Sequence, residues 1–284
     1  MRKSIGLFLL FFVLSVVNCS SKVNDPKDGK AADSTAIDGW KLVWSDEFNY
    51  TGLPDSTKWG YDVGDNGWGN HEKEYYTEKR KENARVENGK LIIEARRDFY
   101  NVNGEQKEFT SARIFTAHKG DWTYGRFEVR AKLPYGKGTW PAIWMLPTEW
   151  TLGNGSWPDN GEIDIMEHVG YDQGVIHGST HCNKYVFKKG TQKTATIKIP
   201  DCATAFHTYT AEWDKDKITM FVDDSLYFTS TNEGSGWQGW PFFKDFHFIL
   251  NIAVGGDWGG VEGVDNNIFP QKMEVEYVRV YQRP

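Results

Sequence analysis

The chain has 284 residues, with 33 Lys and Arg against 39 Asp and Glu, for a formal charge of −6 with neutral histidines. A net-negative chain without a basic run lacks the cations that displace phosphate counterions, which argues against a nucleic-acid partner. Its 15% aromatic content argues against disorder, and three cysteines are too few for a disulfide scaffold.

Arg2 and Lys3 precede an apolar run from Ile5 to Leu14 that resumes after Ser15. The run is shorter than the roughly 18 to 20 residues of a spanning helix and has the flanks of an export signal. It ends at Val16-Val17-Asn18-Cys19, which resembles a bacterial lipobox with Cys19 as the lipidated residue. Residues 1–19 are therefore read as a lipoprotein signal peptide. Residues 20–38 hold only scattered aliphatics and no aromatic, the composition of a flexible tether. Residues 39–284 remain for one domain.

Within that domain the dominant period is two. Leu91 to Ala95 follows the turn signal Glu87-Asn88-Gly89. In Gly125 to Leu133, Phe127, Val129, Ala131 and Leu133 alternate with charged residues, a pattern a helix cannot use. Ile218, Met220 and Val222 alternate before an Asp223-Asp224 turn, and Leu226 to Phe228 follow. Phe246 to Val254 is almost continuously apolar, as in a strand buried on both faces. Val275 to Tyr281 closes the chain. Ala203 to Phe206 alone suggests a brief helical turn. Many short strands with Gly, Asn and Asp turns predict an all-β sandwich of two antiparallel sheets.

The chemistry concentrates in Gly161-Glu162-Ile163-Asp164-Ile165-Met166-Glu167-His168. Glu162 and Asp164 differ by two and share a strand face, whereas Glu167, five from Glu162, would point the other way. A one-residue bulge at Ile165-Met166 restores Glu167 to that face. The two glutamates then lie roughly 13 Å apart at Cα, at ~3.3 Å per residue. Side chains leaning together on a concave sheet could close this to the ~5 to 5.5 Å of a retaining glycosidase pair. Like charges so close raise at least one pKa. On spacing alone, a solvated acidic face, with or without a metal, is the competing reading.

The surroundings favour sugar chemistry. Trp140 and Trp144 flank Pro141, and Trp150 and Trp157 follow before the acids. Indole faces suit the C–H faces of sugar rings, although any single Trp is more commonly core. Trp157-Pro158-Asp159-Asn160-Gly161 followed by Glu-Ile-Asp-Ile-Met-Glu resembles the signature of glycoside hydrolase family 16, in its laminarinase-like branch. Further matching segments are Leu42 to Phe48, Thr110 to Ile114, Tyr124 to Glu128, Trp140 to Pro147, His177 to His181, Asn251 to Gly256 and Tyr277 to Tyr281.

The resemblance implies a β-jelly roll with a concave substrate cleft and a retaining, endo-acting β-glucanase. Glu162 would be the nucleophile, Glu167 the acid/base and Asp164 the residue tuning Glu162. Trp140, Trp144 and Trp258 would stack on sugars, while Asn70, Arg113 and His181 would line subsites. Arg113 as a structural ion pair and His181 as a satisfied buried histidine are the alternatives. The resemblance also implies a structural calcium ion at Glu47, the Gly89 carbonyl and Glu276, with no cofactor needed for catalysis. Export permits a Cys182–Cys202 bridge, which would contribute about 3 kcal/mol, with two reduced thiols as the alternative.

Expected partners are a β-glucan polysaccharide and a membrane reached only through the lipid anchor. The chain is expected to be a monomer in the cell envelope, at the outer membrane or cell surface, or otherwise secreted. An agarase or carrageenase of the same family and a non-catalytic glycan-binding lipoprotein are the competing functions.

Overall fold

The computed structural model describes Met1, residues 36 and 37, and residues 39–284. The export signal, Cys19 and nearly all of the tether lie outside the described residues. Thr35–Pro284 forms one compact unit. Ala36–Ile37, at the end of the expected tether, pairs antiparallel with Trp40 and Lys41. No helix among the described residues is long and apolar enough to cross a membrane.

Two sheets of 11 and seven strands make the fold. The larger one carries Gly125–Lys132, Gln271–Gln282 and His207–Trp213 side by side. Phe127, Val129 and Ala131 point into the core, as their period requires, while Arg126, Arg130 and Lys132 stand on the outer face against Glu212, Glu276 and Glu274. The seven-stranded sheet runs in the order Lys193–Lys198, Val175–His181, Glu162–Glu167, Thr139–Pro147, Phe246–Val254, Arg113–Phe115 and Gly60–Asp62. Every pair in it is antiparallel. Phe246–Val254, the apolar run, is buried throughout between Thr139–Pro147 and Arg113–Phe115.

Between the sheets, aromatic edges meet aromatic faces: Trp44 on Trp122 at 5.4 Å, Phe127 on Phe248 at 5.8 Å and Trp213 on Phe246 at 5.4 Å. Such pairs contribute ~0.5–1.5 kcal/mol beyond burial. Much of the tryptophan excess is thus structural, since Trp59, Trp122, Trp213 and Trp240 are all buried.

Two expectations fail. Ala203 to Phe206 forms turns without a helix; the short helical turns are Gly67–Gly69 and Phe187–Lys189. Cys182 and Cys202 are both free and buried. Cys182 follows one end of Val175–His181, while Ile199, three residues before Cys202, hydrogen-bonds to Gly174 at the other end. A seven-residue strand spans roughly 20 Å, far beyond the ~7 Å that a disulfide bridges between Cα atoms.

Candidate active site

The acid strand enters through Gly161, whose φ of +92° suits glycine; a Cβ there would meet Pro241 at 2.9 Å. From that point Glu162–Glu167 pairs with Val175–His181 on one side and Thr139–Pro147 on the other. Asp164 lies opposite Ser179, but Glu167 lies opposite His177, so three steps on the acid strand match two on its neighbour. The surplus is the bulge at Ile165 and Met166, both fully buried. It turns Glu162, Asp164 and Glu167 onto one face, where all three line a groove of about 650 Å³.

Alternation also builds the rest of the groove. Trp140, Ala142, Trp144 and Leu146 face it, while Ile143 and Met145 face the core. Asn251 and Ala253 of Phe246–Val254 continue the floor. Trp68, Trp150, Trp157, Phe187 and Lys188 form loop walls. Arg113 is held by Asp62 at 2.8 Å and sits over the rings of Trp68 and Trp144, 4.8 and 4.7 Å from their centroids. Arg113 thus forms an ion pair and also lines the groove.

Each glutamate accepts an indole N–H. Trp157 Nε1 donates to Glu162 Oε2 at 2.7 Å, and Trp140 Nε1 donates to Glu167 Oε1 at 3.0 Å. His181 Nε2 lies 3.3 Å from Asp164 Oδ2 and 4.0 Å from Glu162 Oε1. Burial, then the charge of Asp164, pushes Glu162 up to about 8. Burial, then the charge of Glu162, pushes Glu167 up to about 7. Asp164 is held well above its ordinary value by burial and by Glu167. Three carboxyls this close share their protons as one unit. Their partners distinguish them: His181 and Asp164 attend Glu162, and Trp140 alone donates to Glu167.

Other expected residues fall in different places. Asn70 lines the groove and donates to Glu72 Oε1 at 3.2 Å. His181 is buried, 5% exposed, so it partners the acids rather than forming a wall. Trp258 is not part of the groove lining; it packs edge-on against Trp140 at 5.4 Å and against His177 at 4.8 Å. Tyr76, Glu72 and Asn251 escaped sequence reading. Trp144 Nε1 donates to Asn251 Oδ1, Asn251 Nδ2 to the Tyr76 hydroxyl, and Tyr76 to Glu72. The first of these bonds fixes the indole plane.

For metals, Glu162, Asp164 and His181 offer ligand atoms within 4.8 Å of one another. Those atoms already serve one another and Trp157. Glu47 is gripped by Arg279 through two bonds of 2.8 and 2.7 Å, and Glu276 is bonded by Arg130 at 2.7 Å. With a guanidinium on each carboxylate, these side chains as placed do not fit a calcium ion.

The comparisons agree with this architecture. Residues 71–279 match the model of glycosyl hydrolases family 16. A beta-glucanase of Rhodothermus marinus is 53% identical over 276 residues, 95% of this chain and 93% of its own. A glucan endo-1,3-beta-glucosidase of Cryptopygus antarcticus is 42% identical over 84% of this chain and 91% of its own. The crystal structure of the Rhodothermus marinus laminarinase superposes with a TM-score of 0.83 at 56% identity, covering 86% of this chain and 97% of that one. With the family matched over residues 71–279 and relatives of 42% and 53% identity along most of both chains, this chain belongs to glycoside hydrolase family 16.

Proposed function

We propose that the protein is a retaining endo-β-glucanase that cuts internal β-1,3 or β-1,4 glucosidic bonds of laminarin or mixed-linkage β-glucan. The observation that carries this reading is the bulge, which sets Glu162 and Glu167 on one floor of an open groove. An open groove admits the middle of a polymer, whereas a closed pocket admits an end.

In this reading Glu162 attacks the anomeric carbon while Glu167 gives its proton to the departing glycosidic oxygen. The C1–O bond breaks and a glycosyl ester forms on Glu162. Glu167, now a carboxylate, takes a proton from water, which attacks C1 and releases Glu162. Trp157 and His181 stabilise the Glu162 carboxylate before it attacks and again as it leaves the ester, and Asp164 keeps a shared proton near it. No metal takes part.

The groove argues against a sulfated galactan as substrate. Its lining carries Glu72, Glu162, Asp164 and Glu167 against only Arg113 and Lys188, and Arg113 already has Asp62. The test is reducing-end release from laminarin, mixed-linkage glucan, agarose and carrageenan. Release from the glucans alone supports the reading; release from none of the four overturns it.

The proposed anchor is a lipid on Cys19, with a tether that ends before the Ala36–Ile37 strand and a monomeric catalytic domain at the cell envelope. Its support is the lipobox-like sequence and the polar composition behind it. Metabolic labelling with a fatty acid, lost in Cys19→Ala, tests it.

A further inference from the structure

The bulge that turns Glu167 into the groove leaves one residue, Ile165, paired with nothing in either neighbouring strand. Its carbonyl lies in the dry interior, where an unpaired acceptor costs ~1–3 kcal/mol. The partner comes from the opposite sheet: the Tyr227 hydroxyl, on Ser225–Thr231, donates to the Ile165 carbonyl oxygen at 2.5 Å. Facing the bulge on the adjacent strand, between Ser179 and His177, is Gly178. A Cβ on Gly178 would stand 2.7 Å from the Tyr227 hydroxyl oxygen and 2.8 Å from its ring. Gly178 carries no positive φ, so space rather than backbone conformation requires glycine. A missing side chain, a bulged residue outside the ladder and a hydroxyl of matching reach thus coincide at the residues that set the Glu162-to-Glu167 register.

We propose that Tyr227, reaching through the gap at Gly178, is the positioning residue that pins the catalytic bulge and so aims Glu167. Tyr227 does not touch substrate. It acts by fixing the one peptide whose rotation would release the extra residue, and a one-residue slip sends a side chain to the other face of the sheet. Its hydroxyl pKa is raised by burial and then by the charges of Asp164 and Glu167, as expected just beneath them. The inference rests on Glu167 being the acid/base; chemical rescue of Glu167→Ala decides that point separately, so either idea can fail without the other.

The experiment compares Tyr227→Phe, Gly178→Ala and Tyr209→Phe on laminarin. Tyr209 supplies the control, because its buried hydroxyl has no partner. Besides Tyr227, the groups facing Glu167 are Glu162 and Asp164 on its strand, His177 and His181 on the next, and Glu72 across the groove. None of these changes in the three variants. Tyr227→Phe should lower kcat about tenfold, with KM within twofold of the parent. Water entering beside a loosened Glu167 relieves its desolvation, so the alkaline limb of the pH–rate profile should move to lower pH. Gly178→Ala, which crowds the same hydroxyl from the other side, should shift both in the same directions. Tyr209→Phe should leave kcat and the limb in place. If Tyr227→Phe does not fold, Gly178→Ala alone decides by the same two readings. A lower melting temperature with unchanged kcat and alkaline limb would reduce Tyr227 to a structural bond and overturn the proposal.

Discussion

Carboxylates crowd both faces of this sandwich, yet the two faces treat them oppositely. On the outer face of the large sheet each is matched to a cation. Glu274 meets Lys90 at 2.5 Å and Lys132 at 2.9 Å, and although burial pushes its pKa up, these lysines bring it down to about 2. Glu47 is held below its ordinary value, first by its hydrogen bond from Arg279. In the groove, Glu162, Asp164 and Glu167 are grouped with one another, and all three move up. One arrangement favours the charged form and supports folding. The other keeps protons available near neutral pH, which is what a general acid needs.

The largest effect that could break this contrast is chemical. Glu162→Gln should cost about 10⁴-fold or more in kcat on laminarin, because no ester can form. A small loss would remove Glu162 as nucleophile. Glu167→Ala should cost about 10²- to 10⁴-fold. Azide should then restore turnover of an activated β-glycoside by attacking the Glu162 ester, giving a product of β configuration. An α-azide would exchange the two roles. In the parent, kcat/KM should fall as pH rises through the neutral range, where the coupled acids lose the shared proton that Glu167 donates. A profile flat to pH 9 would contradict that assignment.

The contrast was only partly legible in the sequence. The bulge was readable because five residues separating two acids break a period of two, and because apolar Ile163, Ile165 and Met166 mark the inward face. The strands were readable for the same reason. What escaped was whatever depends on distant chain segments meeting. The Asn251–Tyr76 hydrogen bond joins residues 175 apart, and Trp157 reaches Glu162 from a loop whose path no period predicts. Likewise, the cysteine pair looked bridgeable by separation along the chain, although a whole strand holds its members apart. For His181 the sequence leaves a subsite residue and a buried histidine both open, and only the register of Val175–His181 against the acids places it buried beside them.

Stability provides the next test, because the two faces should respond with opposite signs. Asp164 has its pKa raised in the folded state, so its ionised form opposes folding and stability is lost as pH climbs above the ordinary carboxylate value. Asp164→Asn should therefore raise the melting temperature at pH 8 by several degrees, and change it less at pH 4. Activity should fall in the same variant, a trade-off expected at a functional site. A lower melting temperature at pH 8 would mean that Asp164 is held by favourable contacts after all.

Glu274 should show the reverse, with a smaller amplitude. Its folded pKa of about 2 is below the ordinary value, so its stabilisation is complete above the unfolded-state pKa and disappears as pH falls towards 2. The lysines sit near solvent, with 28% and 26% side-chain exposure for Lys90 and Lys132, so screening limits the effect to about 1 kcal/mol. Glu274→Gln should lower the melting temperature by about 2–4 °C at pH 7, leave kcat unchanged, and converge with the parent as the pH approaches 2. Raising the salt concentration should shrink the pH 7 difference for Glu274, while the shielded Asp164 difference persists. If both differences shrank alike, the groove acids would be as open to solvent as the outer face, and the physical basis of the contrast would be lost.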